Sequence, residues 1–192
     1  MTKFIVGIDQ SKTMTGIVIV DADKIINDNP VVLSTAIVQA GGMSDVEMAN
    51  VLSDAFRKLH AEHGNDIKSI AYEDIAFSKN YNACKAMSTI AGIVVGVCTM
   101  LWPHVYKTAV PPKKAKKLME PQQNVIDAYI NNLPKNNKQH KTKDFIVAYF
   151  NNNVSFANKK EKDKYISFSR AKKEAVADAF AVAKFVAKGS LQ

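Results

Sequence analysis

Residues 4–20 read FIVGIDQSKTMTGIVIV, two runs of mostly β-branched residues joined by a short polar stretch, with an aspartate closing the first run. Valine, isoleucine and threonine favour a pleated, half-buried backbone, and the intervening Gln, Ser, Lys and Thr suit a turn. The pattern predicts a hairpin that carries Asp9 to its mouth. An isolated aspartate there has a simple reading as the cap of an ordinary turn. It gains weight only if other acidic residues arrive at the same end of the sheet.

The rest of the chain supplies a sheet for that hairpin to belong to. Residues 3–9, 15–21 and 31–38 read as a three-strand meander. Ser44, followed three residues later by Glu47, forms a capping box for a helix to about His63 with a stripe of Val51, Leu52, Ala55, Phe56 and Leu59. Ile67–Glu73 is a short apolar run closing on acidic residues, as expected of a central parallel strand whose polar residues emerge at its carboxyl end. A long helix follows over Tyr81–Leu101, where Gly92 and Gly96 permit close packing, and Pro103 ends it. Residues 104–110 form one more strand, and residues 169–188 a last helix rich in Ala, Val and Phe. Between them, PPKKAKK and NNLPKNNKQHKTK read as loops, residues 121–130 and 142–150 as short helices, and NKKEKDK as a solvated or disordered charge run. At 192 residues and 47% hydrophobic content the chain is one domain, with a basic, partly irregular insertion at about 111–168.

Charge is distributed unevenly. Residues 1–106 hold 8 Lys and Arg against 11 Asp and Glu, a balance of −3, whereas residues 107–192 hold 18 against 7, a balance of +11. A basic half of this kind suits a polyanion, because each phosphate neutralised releases condensed counterions. A lysine-rich surface that merely keeps the protein soluble has the same composition. Only Arg57 and Arg170 are arginines, so bidentate reading of guanine edges is scarce and lysine contacts to phosphate dominate.

Cys84 and Cys98 lack metal-type spacing and read as buried, reduced thiols of a cytosolic protein. The N-terminus lacks the apolar core and cleavage site of an export signal. The most apolar run, residues 90–102, is shorter than the roughly 20 residues needed to cross a bilayer. The expectation is a cytoplasmic protein that does not enter a membrane.

Two further carboxylates raise the weight of Asp9. Glu73 ends the strand expected beside the first, facing Asp9 across a gap that a cation can fill. Asp178 lies in KKEAVADAFAVAKFV, among alanine, valine and phenylalanine, where an ionised group is costly unless paired or metal-bound. Glu174 stands one turn earlier, roughly 40° around the helix axis. Like charges four residues apart weaken a helix unless a cation sits between them, although Lys172 and Lys173 offset part of that repulsion. Hard oxygen ligands converging from distant parts of a chain are what Mg²⁺ and phosphodiester hydrolysis require.

At these three places, GIDQSKTMTG, YEDIAFSKN and EAVADAF, the sequence resembles the RuvC family of Holliday junction resolvases among the RNase H-like nucleases. The departures from the cellular pattern resemble bacteriophage-type members. The resemblance implies an α/β RNase H-like fold with a mixed five-stranded sheet flanked by helices. It implies an endonuclease that nicks four-way DNA junctions in pairs, as a homodimer, with Mg²⁺ (or Mn²⁺) held by Asp9, Glu73, Glu174 and Asp178. Phe77, Lys79 and Asn80 match a loop that probes the junction, and Lys141 and Lys143 match positions that hold phosphate; Lys113 and Lys114 add to the DNA-binding set. The family often carries its fourth carboxylate three residues before the last aspartate, where this chain has Ala175, so Glu174 substitutes with a longer arm. A non-catalytic branched-DNA binder and a sugar-kinase or actin-like ATPase are the alternatives. The second needs two such domains to enclose ATP.

Overall fold

The computed structural model describes residues 3–75, 80–119 and 141–189. Its centre is a mixed sheet of strands β1 (Phe4–Asp9), β2 (Met14–Asp21), β3 (Val31–Gln39), β4 (Ile67–Glu73), β5 (Tyr106–Val110) and β6 (Ser155–Phe156), in the order β5-β4-β1-β2-β3-β6. β1, β2 and β3 form the antiparallel meander, and β4 and β5 add in parallel beside β1. The sheet thus has six strands and not the expected five. The extra one, β6, is two residues long and pairs in parallel with Val31 and Val32 at the far edge. Two residues carry too little alternation to be read as a strand.

Side chains alternate across the sheet with period two. Phe4, Val6, Ile8, Ile17, Ile19 and Ile70 face one way, into a core closed by helices α2 (Asp45–His63) and α3 (Tyr81–Leu101). Met48, Leu52, Phe56 and Leu59 make the buried stripe of α2, and the Ser44–Glu47 capping box forms as expected. Full burial contributes roughly 1.5–3 kcal/mol for each large apolar side chain. Ile5, Val18, Val20, Ala71 and Val110 face the other way, under the last helix, α7 (Arg170–Gly189). Around α7 stand α1 (Ala22–Ile26), α4 (Pro112–Lys117) and α5 (Lys141–Asn153).

Three expectations are corrected. PPKKAKK is not a loop: Pro112 opens the short helix α4, with Ala115 buried beneath it. NKKEKDK is not a disordered run, because helix α6 (Lys159–Ile166) docks on the edge of β3. Its buried Glu161 accepts from the Thr35 amide at 2.9 Å, and Lys164 donates to the Thr35 carbonyl. The third concerns α3, which is long and apolar enough to cross a membrane by length and composition, unlike the shorter run read from the sequence. One of its faces is core: Ile90, Val94 and Val97 are buried against the sheet and α2. Gly92 and Gly96 lie on its exposed face, where an added Cβ would meet nothing within 4 Å, so they serve no packing within the chain. The helix expected at 121–130 lies outside the described residues. Cys98 is buried, and burial pushes its thiol up to about 12; Cys84 is only half-buried.

Candidate metal and nucleic-acid site

The alternation that builds the sheet also aims the acids. Ile5 and Gly7 face α7, so Asp9, two residues on, projects to the same side at the strand end. On β4, Ala71 faces α7 and Glu73 follows it out. Asp178 comes down from α7 itself, 8% exposed among its apolar neighbours. Asp9, Glu73, Glu174 and Asp178 line one cleft of about 340 Å³, together with Gln10, Ser11, Met87 and Lys116.

Gln10 sets the relation between the two acid-bearing strands. It is fully buried, its amide nitrogen donates to the Glu73 carbonyl, and its amide oxygen accepts from the Glu73 nitrogen at 3.2 Å. The side chain therefore does for Glu73 what a strand residue would do, extending the β1–β4 pairing one step past its last backbone partners. Ser11 closes the hairpin turn, donating to the Met14 carbonyl at 2.6 Å and accepting from the Met14 amide at 3.1 Å.

Lys116 enters from α4. Its ammonium is 3.3 Å from Asp178 Oδ2 and 3.8 Å from Glu73 Oε1. Burial alone would lower its pKa, but the charges of Asp178, Glu73 and Asp9 outweigh this and hold it above the ordinary lysine value. Asp9 is pushed well above the usual carboxylate range by burial, by a hydrogen bond to the Glu73 side chain, and by the charges of Glu73 and Asp178, with Lys116 opposing. The cleft holds more negative charge than its lysine offsets.

That imbalance is the test of fit for a cation. Among the described residues, no three acidic, histidine or cysteine side chains are gathered into a finished ligand set; a lysine stands between Glu73 and Asp178 instead. The donors are hard carboxylate oxygens, the kind Mg²⁺ and Mn²⁺ take, and one positive charge already sits among them. By donor chemistry and charge, and not by a gathered geometry, Asp9, Glu73 and Asp178 suit a divalent ion.

Glu174 stands in the cleft wall, with its carboxylate 3.1 Å from Arg170 Nε, and the same guanidinium reaches Asp144 at the start of α5. Ala175 has a packing reason. A Cβ at Gly16 would lie 2.3 Å from the Ala175 carbonyl oxygen and 3.0 Å from its Cβ, so strand and helix touch at Ala175, which also lines the cleft. Asn80 caps α3, accepting from the Asn82 and Ala83 amides at 3.0 and 3.3 Å. Phe77 and Lys79 lie outside the described residues. Lys113 and Lys114 are exposed on α4. Lys141 and Lys143 fall in the first turn of α5; their side chains lie outside the description.

Sequence reasoning missed Gln10 and Lys116. A signal for Lys116 existed: Ala115 and Met119, four apart in a lysine-rich run, mark a helical stripe just after a strand that pairs with Glu73. Gln10 had no such signal, since a glutamine after a strand reads as turn.

No family model matches the sequence, and no curated protein matches it. Solved structures do. T. thermophilus RuvC in complex with a Holliday junction substrate superposes with a TM-score of 0.62 at 12% identity, covering 98% of this chain and 96% of that one. The yeast mitochondrial Holliday junction resolvase gives 0.54 at 12% identity, over 97% and 80%. The fowlpox virus resolvase with its junction DNA gives 0.54 at 10% identity, over 98% and 99%. The six-stranded mixed sheet, its helical cover and these superpositions together identify the RNase H-like fold that RuvC and other Holliday junction resolvases share.

Proposed function

We propose that this protein is a metal-dependent endonuclease that resolves four-way DNA junctions. The observation that carries the reading is the convergence of Asp9, Glu73 and Asp178, from two strand ends and the last helix, in one cleft of a resolvase-type fold. Those three carboxylates would hold Mg²⁺, with Mn²⁺ as a substitute, and Glu174, which lines the same cleft, would join them on leaving Arg170. A divalent ion bound there supplies activation of water and neutralisation of charge on the phosphate.

The chain's own residues do the rest. Gln10 keeps Asp9 and Glu73 in register. Lys116 offsets carboxylate charge and presents an ammonium to an approaching phosphate. The exposed Lys113 and Lys114, with Lys141 and Lys143, grip the DNA arms, and Phe77, Lys79 and Asn80, between β4 and α3, meet the junction centre. A four-way junction is two-fold symmetric, so paired nicks call for a two-fold dimer. Its interface is the exposed face of α3 around Gly92, Gly96 and Met100, which is 72% exposed; Ile90 and Val94 are already used in the core.

Incubation with a labelled four-way junction and Mg²⁺, beside an EDTA control and a linear duplex, tests this. Symmetric paired nicks in the junction alone, abolished by EDTA, are expected. An intact junction in both Mg²⁺ and Mn²⁺, or equal cutting of the linear duplex, overturns the reading.

A further inference from the structure

Lys184 is the one lysine buried among the described residues, at 6% exposure. It sits on α7, six residues beyond Asp178, and is not among the residues that line the cleft. Burying an ammonium is expensive unless its hydrogens are used, so its partners report what it is there for. They are the Leu118 carbonyl oxygen at 3.1 Å and the Tyr149 hydroxyl, with the ammonium also 4.2 Å from the centre of the Tyr149 ring.

Leu118 is the C-terminal cap of α4, the helix that carries Lys116. Six residues are too few to hold a helix by its own hydrogen bonds, and the last carbonyls of any helix lack intrahelical donors. Something outside must fix α4. Ala115 and Met119 anchor it by burial, and Lys184 supplies a cationic donor to its C-terminal carbonyl, the end where positive charge is favourable. The same helix, α7, thus holds α4 at two points: Asp178 takes the Lys116 ammonium and Lys184 takes the backbone two residues later. Tyr149 lies on α5, whose first turn bears Lys141 and Lys143.

We propose that Lys184 is a positioning residue for junction cleavage: its hold on the Leu118 carbonyl fixes the turn that delivers Lys116 to the carboxylate cleft, and its bond to Tyr149 joins that turn to α5. The inference rests on the nuclease reading. It acts through Lys116, which a merely structural lysine would not.

A double-mutant cycle separates the two. Single-turnover cleavage, junction Kd measured in EDTA, and Tm are compared for the wild type, Lys184→Met, Lys116→Met and the double variant. Lys184→Met slows cleavage about tenfold, leaves Kd within about twofold, and produces no further loss once Lys116 is methionine. An equal loss in both backgrounds, or an unchanged rate, overturns the proposal. Should Lys184→Met lack a cooperative thermal transition, Tyr149→Phe takes its place: a loss of about threefold that depends on Lys116 is expected, and a loss independent of Lys116, or none, overturns it. If the wild type does not cut, the nuclease reading falls. The positional claim is then decided by acetylation of Lys116 followed by mass spectrometry, which Lys184→Met speeds several-fold; unchanged labelling overturns it.

Discussion

The two faces of the sheet are built on different principles. Toward α2 and α3 the core is made of large side chains: Phe56 meets Trp102 edge-on at 6.3 Å, and Met48, Leu52, Ile70, Ile90 and Val94 fill the space between. Toward α7 helix and strand backbones touch. A Cβ at Gly7 would lie 2.2 Å from the Ala179 carbonyl oxygen and 2.8 Å from the Ala183 Cβ, and Gly16 meets Ala175 in the same way. Ala175, Ala179 and Ala183, each four apart, form the stripe that glycine admits. Large interdigitating side chains can exchange shape if volume is kept, whereas two backbones in contact have nothing to yield. The rigid face is the one that carries Asp178. A metal site of the kind proposed would need its ligands held closely, and the close-packed face is the one that would supply that.

The largest effect expected from breaking this contrast is catalytic. Asp178→Asn and Asp9→Asn keep shape and remove charge, so cleavage of a four-way junction falls by about 10³-fold, roughly 4 kcal/mol of transition-state stabilisation, while junction binding survives. Asp9→Asn also acts on stability, with a sign that identifies the cause. Burial, then the hydrogen bond and charge of Glu73, raise the Asp9 pKa in the folded state. Protonated Asp9 is therefore favoured by folding, and stability is lost as pH rises through the folded pKa. In metal-free protein Asp9→Asn raises Tm at neutral pH, and the gain disappears below about pH 4, where the carboxyl is protonated in both states. A gain that is flat with pH would assign the effect to packing.

Next in size is the rigid face itself. Gly16→Val drives a branched side chain into the Ala175 carbonyl and lowers stability by about 3 kcal/mol, read by urea denaturation. Cleavage falls with it because Asp178 shifts with the helix. A fourth variant, Glu174→Gln, sharpens the boundary of the site: if Glu174 stays with Arg170, cleavage drops by less than about threefold, and if it is a fourth metal ligand the loss approaches that of Asp9→Asn. The smallest effect belongs to the compliant face, where Leu52→Met changes stability by less than about 1.5 kcal/mol and leaves cleavage untouched. An equal loss from Leu52→Met and Gly16→Val would erase the contrast.

Much of this was legible beforehand. α2 and α3 run as their capping residue and breaker indicate, with Ser44 and Glu47 at one end and Pro103 just past the other. β1, β2, β3, β4 and β5 fall where β-branched residues cluster, and three acids placed by pattern share one cleft. The failures have physical causes. α4 and α6 are lysine-rich and short, with weak intrinsic stability; each exists because one or two residues, Ala115 or Glu161, are buried by the rest of the molecule. Gly92 and Gly96 of α3, expected to permit close packing, meet nothing within the described residues. The apolar residues of that helix run nearly all the way round, so periodicity alone does not say which side meets the sheet.

Local physics encodes which segments pleat or coil, where they start and stop, and that Asp9, Glu73 and Asp178 sit at element ends or among apolar residues where a carboxylate needs a reason. The remaining contacts came from long-range packing. Gln10 bonds to the backbone of Glu73, 63 residues away, and Lys116 meets Asp178 and Glu73 across the cleft. Gly16 stays a glycine because the Ala175 backbone lies against it. Such contacts depend on distances between residues remote in the chain, and those distances exist only after the sheet has closed under α7.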